Sequence, residues 1–218
     1  MKILLYSALL SLALAVFALT SCIDHGALDG ATAPNGSVQL DDDTIDDWES
    51  VTNPDFILYG STGKDYGKFA YDANYIYFMF VLSEQDQFSP NEHIWNLRLD
   101  ADNNAETGMS TKGLGCEWYY EGNCCCEDPW NDWYSGSSGD TVYAEMPMET
   151  GAHGTLDDGR FYFEVGLNRQ IFGIDQNEIA IYTKFYDVDW DDFVYFQNKD
   201  GQTTIHLTLD KEQESRGD

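Results

Sequence analysis

The run Tyr75-Ile-Tyr-Phe-Met-Phe-Val-Leu82 constrains this chain more than any other segment. It is apolar on both phases of a period-2 pattern and rich in aromatic and β-branched residues, so it reads as a strand with no solvent face. Such a strand must lie inside a sheet and be covered above and below. Asp72-Ala73-Asn74 just before it has turn chemistry. Residues 94–99 form a second strand, this time alternating. Trp95, Leu97 and Leu99 share one face, and Asn96 and Arg98 the other. Further strands are predicted over 56–59, 68–71, 117–121, 141–145, 160–165, 178–186, 193–196 and 203–209. Asp157-Asp158-Gly159 and Lys199-Asp200-Gly201 are hairpin-turn signals, because Gly tolerates the positive φ such turns need. Only 167–172 suggests a helix, and a short one. Many strands at regular spacing predict an all-β fold, an antiparallel β-sandwich of jelly-roll type over residues 38–210. Residues 211–218 are a polar tail, and no internal repeat is present.

The first 21 residues read as an export signal rather than as part of the fold. Lys2 supplies the positive start and Ile3 to Leu19 an apolar stretch too short for an ordinary membrane span. Leu19-Thr20-Ser21-Cys22 resembles the bacterial lipobox, which implies cleavage before Cys22 and lipidation of that cysteine. Ile23 rather than Asp follows, so an outer-membrane lipoprotein of the cell envelope is expected, with the leaflet left open. Residues 22–37 are small and polar, as a flexible tether would be. The membrane is then engaged through the lipid anchor only. Charge narrows the partners further. Thirty-nine Asp and Glu against 11 Lys and Arg give a net charge of −28. No basic surface for nucleic acid can be assembled from so few cations. The chain is nevertheless 43% hydrophobic and 15% aromatic, which excludes wholesale disorder.

Four stretches together resemble the family 9 carbohydrate-binding modules and the related DOMON-like β-sandwich domains. Leu40-Asp-Asp-Asp-Thr-Ile-Asp-Asp-Trp48 is similar to the opening Ile-Asp-Gly-x-Leu-x-Asp-Trp of those domains. Tyr71-Asp-Ala-Asn-Tyr-Ile-Tyr-Phe78 is similar to their Tyr-Asp-Asp-x-Asn-Leu-Tyr-Phe turn and strand. Leu99-Asp-Ala-Asp-Asn-Asn-Ala-Glu-Thr-Gly108, followed by Gly115-Cys-Glu-Trp-Tyr-Tyr-Glu121, resembles their acidic loop and next strand. Phe163-Glu-Val-Gly-Leu167 through Gly173 resembles a later segment. The chain departs at Asp42, where the family has Gly, and at Asn168-Arg169, where a Pro is usual. The resemblance implies a β-sandwich and a polysaccharide or oligosaccharide ligand. Domains of this shape also serve as haem binders or as accessory domains without a ligand, because fold does not fix function.

Asp100, Asp102, Asn104 and Glu106 place hard oxygen ligands at alternate positions of a loop leaving a strand, a spacing that suits a structural Ca²⁺. It is not an EF-hand, since Ala105 and Thr111 stand where Gly and Glu are required. The run Asp187 to Asp192 has similar spacing but reads as a solvated loop. Six Trp and 14 Tyr invite a sugar platform, on which pyranose C–H faces stack while amides and carboxylates bond the hydroxyls. Trp130, Trp133 and Tyr134 fall in a Gly/Ser/Asp-rich stretch read as a loop. Trp118 is a further candidate, with Asn96 and Arg98 as polar contacts. Trp48 and Trp95 read as core. Cys116, Cys124, Cys125 and Cys126 suggest one bridge from Cys116 in an oxidising compartment. No catalytic motif is present, and the scattered His25, His93, His153 and His206 define no site, so a non-catalytic protein is expected. Three readings stand: a carbohydrate-binding lipoprotein, a structural or assembly lipoprotein without a sugar site, and a small-molecule or haem-binding DOMON-like domain.

Overall fold

The structure is a computed structural model, and it describes residues 38–40, 44–83, 94–122, 131–136, 148–186 and 192–209. The signal, the tether, Cys22, Trp130, Cys124 to Cys126, the 141–145 strand, the loop at 187–191 and the tail lie outside the described residues. Thirteen strands are described. They are β1 (Ile57–Gly60), β2 (Tyr66–Tyr71), β3 (Tyr75–Leu82), β4 (Ile94–Asp100), β5 (Met109–Thr111), β6 (Leu114–Cys116) and β7 (Trp118–Gly122). Beyond these lie β8 (Asn131–Ser135), β9 (Met148–Thr155), β10 (Phe161–Asn168), β11 (Glu178–Tyr186), β12 (Asp192–Gln197) and β13 (Ile205–Thr208).

All pairings are antiparallel, and the main sheet runs β8-β7-β4-β11-β12-β1-β2-β3-β10-β9, with β13 also on β11. One half, around β2, β3 and β10, is joined to the other, around β4, β7 and β11, by the short β1–β12 pairing. The two halves face each other over a single large core, which makes the fold an antiparallel β-sandwich. Phe78, Phe80 and Phe163 come from the first half, and Trp95, Leu97, Tyr120 and Phe185 from the second. Phe80 alone lies 5.0 to 5.6 Å from the rings of Trp95, Phe163, Phe185 and Phe196.

The doubly apolar β3 is covered on both faces, as its sequence requires. Ile76, Phe78, Phe80 and Leu82 point into the main core. Tyr77, Met79 and Val81 point outward into a second cluster, capped by Val38, Leu40, Trp48 and Val51 from the segment before β1. Burying each such side chain contributes about 1.5–3 kcal/mol, so this strap is a structural part of the domain. Gly166 makes room for it, since a Cβ there would lie 2.8 Å from Leu40 Cδ1. The Trp48 indole N–H donates to Glu164, a carboxylate that is 0% exposed and also accepts from Ala152 N at 2.9 Å. Lys68 Nζ donates to the Trp48 carbonyl.

The helix expected at 167–172 is absent. β10 continues to Asn168, whose carboxamide oxygen accepts from the backbone of Gln170 and Ile171, and the chain turns through Gly173 at φ 67°. An Asn side chain that bonds the next backbone groups competes with helix formation.

Candidate ligand-binding face

The sandwich half containing β4 has an outer face that the strap does not cover, and the alternation along each strand decides what it carries. Trp95, Leu97 and Leu99 turn inward, so Asn96 and Arg98 turn outward. The register then lines up their neighbours. One row runs Tyr195, Lys184, Asn96, Glu121, Asp132 across β12, β11, β4, β7 and β8. The next runs Tyr182, Arg98, Tyr119, Tyr134 across β11, β4, β7 and β8. At one end the β5–β6 hairpin folds over this face and packs Leu114 and Cys116 on Ala180 and Tyr182. Gly115 permits the close approach: a Cβ there would lie 2.3 Å from the carbonyl oxygens of Asn104 and Thr107.

Within the rows, contacts are dense and polar. The Arg98 guanidinium carbon lies 3.2 Å from the Tyr119 ring centroid, and Tyr119 stacks on Tyr134 at 5.2 Å and 27°. Asn96 donates from Nδ2 to Tyr119 Oη at 3.0 Å and to Glu121 Oε1 at 2.9 Å. Tyr134 Oη donates to Asp132 Oδ2 at 3.3 Å. Lys184 Nζ sits 4.0 Å from the Tyr186 ring centroid, and Lys112 Nζ 5.6 Å from that of Tyr182. Tyr195 is 42% exposed.

Two groups on this face have unused hydrogen-bonding capacity. Asn96 is 0% exposed, and its Oδ1 is buried with no partner among the described residues. No described oxygen accepts a hydrogen bond from Arg98, which stacks on Tyr119 instead. Burial lowers the Arg98 pKa, an effect opposed by the Glu121 charge. Burial raises that of Glu121, with Arg98 and the Asn96 hydrogen bond pulling the other way and Asp132 adding to the rise. Tyr134 is raised by burial and by the charges of Asp132 and Glu121.

Three of the residues predicted from sequence, Asn96, Arg98 and Tyr134, therefore meet on one face. Two do not. Trp133 is not on a loop but on β8, 1% exposed, with its ring 4.9 Å from Tyr120 and 4.6 Å from Phe172. Period-2 alternation sends it inward when Asp132 and Tyr134 face outward. Trp118 also turns inward, packing on the core and donating its indole N–H to the Phe172 carbonyl at 2.9 Å. Neither ring is placed to stack on a ligand of the outer face. Tyr119, Glu121, Asp132, Tyr182, Lys184, Tyr186 and Tyr195 were not anticipated. The off-core phase of β7, β11 and β12 is the only sequence signal for six of them, and Asp132 on β8 has none.

The acidic loop lies at the hairpin-covered end of the same strand. Asp100, Asp102 and Glu117 bring carboxylate oxygens within 4.8 Å of one another. Asp100 accepts from Asn104 N at 3.0 Å and Gly115 N at 3.1 Å, and Asp102 from Thr107 Oγ1 at 3.0 Å. Glu117 accepts from Ala101 N at 2.8 Å, while its Oε1 is buried without a partner among the described residues. Burial raises the pKa of Asp100 and of Glu117, and the neighbouring Asp102 charge adds to both. Asn104 directs its carboxamide oxygen to the Glu106 backbone, and Glu106 is exposed. The expected quartet thus contributes two members, and Glu117 from β7's approach is the third.

Among the described residues Cys116 is a free, fully buried thiol, and burial pushes its pKa up to about 12; the expected bridge partners Cys124, Cys125 and Cys126 lie outside the described residues. Met79, the methionine of the central strand, lies in the second cluster at 1% exposure. No family model, curated protein or solved structure matches the chain. The likeness to family 9 modules rests on the sequence motifs alone.

Proposed function

We propose that this chain is a non-catalytic carbohydrate-binding protein of the bacterial cell envelope, anchored through a lipid on Cys22. Its sugar would lie across the outer face of β11, β4, β7 and β8. The observation that carries the reading is the unmet hydrogen-bonding capacity of Asn96 and Arg98, set among tyrosines and carboxylates on that one face. A polyhydroxylated ligand supplies both donors and acceptors, and its C–H faces suit partly exposed rings such as Tyr134 and Tyr195. Glu121 and Asp132 offer acceptors to sugar hydroxyls. We further propose that Asp100, Asp102 and Glu117 hold a structural Ca²⁺, which would fix the β5–β6 hairpin at the end of the face.

A glycan array probed with residues 22–218 tests the first claim. Binding is expected, and Tyr134→Ala and Tyr195→Ala should each weaken it about three- to tenfold, the worth of an aromatic contact. Absence of binding across the array overturns the reading and favours a structural lipoprotein.

A further inference from the structure

The cations of this chain are scarce, 11 against 39 acids, and their placement is uneven. Arg160 is paired with Asp158 at 2.8 Å and Lys199 with Asp55 at 2.7 Å. Arg169 donates to the Asp72 carbonyl at 2.8 Å, and Lys68 to that of Trp48. The outer face gathers three more: Arg98, Lys112 and Lys184, each set over a tyrosine ring. Arg98 and Lys184 lie on adjacent strands at diagonal positions, and Lys112 reaches Tyr182, the direct neighbour of Arg98. Acids sit on the same face, Glu121 on β7 and Asp132 on β8. Asp100, two residues beyond Arg98 on β4, is engaged by the Asn104 and Gly115 amides, and Glu178 lies at the start of β11, so the three cations meet between these acids and Glu121, which is diagonal to Arg98.

We propose that the ligand of this face is an anionic glycan, whose carboxylate or sulfate group docks on Arg98 between Lys112 and Lys184 while its hydroxyls donate to Glu121 and Asp132. The proposal rests on the carbohydrate-binding reading and adds the substrate class to it. The planar guanidinium is the matching partner for such a group, because its N–H donors form two parallel bonds to one oxyanion. Here the guanidinium carbon lies 3.2 Å over the Tyr119 ring, and the fork has no acceptor among the described residues. A neutral hydroxyl would engage it through weaker single bonds. Elsewhere the net charge of −28 repels polyanions, so binding of one would be confined to the place where Arg98, Lys112 and Lys184 meet rather than spread over the surface.

The test compares four probes by calorimetry: polygalacturonate, its carboxyl-reduced neutral form, dextran sulfate and dextran. Either anionic polymer should bind at least tenfold more tightly than its neutral counterpart, and the arm that does so separates carboxylate from sulfate. Arg98→Gln should abolish that preference, Arg98→Lys should restore it only in part, and Lys112→Gln and Lys184→Gln should each reduce it. Arg160→Gln, away from the face and already paired, should leave it unchanged. The lysine variants keep the test decisive should Arg98→Gln lose its melting transition. Equal binding of charged and neutral polymers, or an undiminished preference in all three substituted proteins, overturns the proposal and leaves the carbohydrate reading standing. Failure to bind any of the four or any arrayed glycan removes both.

Discussion

Replacing Trp133 separates two incompatible roles for that residue. At 1% exposure, between the rings of Tyr120 and Phe172, it fills space in the main core. Truncating a buried Trp to Ala costs about 3–5 kcal/mol, a large part of the roughly 5–15 kcal/mol that holds a domain folded. For a domain of this size that corresponds to a fall in melting temperature of about 6–20 °C. Trp133→Phe should behave differently. It keeps an aromatic ring in the cavity and deletes an indole N–H that is buried without an acceptor among the described residues. A buried donor left unmet costs about 1–3 kcal/mol, so its removal offsets most of the lost volume. Urea denaturation followed by far-ultraviolet circular dichroism should therefore show Trp133→Ala strongly destabilised and Trp133→Phe within about 1–2 kcal/mol of the parent. The folded fraction of both should bind glycan as the parent does. A Trp133→Ala protein of unchanged stability that has lost glycan binding would refute this reasoning and return Trp133 to the surface.

Three other outcomes follow from the same geometry. Calcium at about 100 times its dissociation constant should stabilise the domain by about 2.7 kcal/mol, raising its melting temperature by about 5–11 °C, and Asp102→Ala or Glu117→Gln should cancel the rise; an EDTA-insensitive melt would remove the metal. In EDTA, the folded state binds protons on Asp100, Glu117 and Glu121 more readily than the unfolded chain, because burial raises all three. Stability should thus rise as pH falls from neutrality through their raised values towards the ordinary carboxylate range, and Glu117→Gln should shrink that rise in a pH series of thermal melts. Trp48→Phe retains an apolar ring but withdraws the indole N–H from buried Glu164, and should cost about 2–3 kcal/mol by chemical denaturation.

Where residue pattern and pairing partner coincide, the sequence was readable. β3 and β11 match their expected bounds because long β-rich runs leave little freedom, and Gly159 and Gly201 adopt the positive φ expected of their turns. β5, β6, β8 and β9 carry no strand signal of their own, β9 because Gly151 and Gly154 interrupt it. The first two are three residues each, and β8 is Asp-Trp-Tyr between polar neighbours, a composition that reads as loop until it pairs with β7. The site was partly legible for the same reason. Alternation put Asn96 and Arg98 opposite Trp95, but no local signal tells which residues of β7, β8 and β11 stand beside them. That is a matter of register, set by long-range pairing. Reading 130–134 as a loop then turned Trp133 outward, and the true strand turns it in. In the acidic loop, spacing identified Asp100 and Asp102, while Glu117 joins them only because the β5–β6 hairpin brings the chain back.

The central claim is that a glycan occupies the outer face of β4, β7, β8 and β11. Hydrogen exchange followed by mass spectrometry, with and without the best-binding glycan, tests its place directly. Protection is expected in peptides covering Trp118–Gly122 and Asn131–Ser135, with Ile94–Asp100 and Glu178–Tyr186 next, and none in those covering Tyr66–Tyr71 and Tyr75–Leu82. Protection confined to β2 and β3, or absent from β7 and β8 while the glycan is bound, would contradict the account.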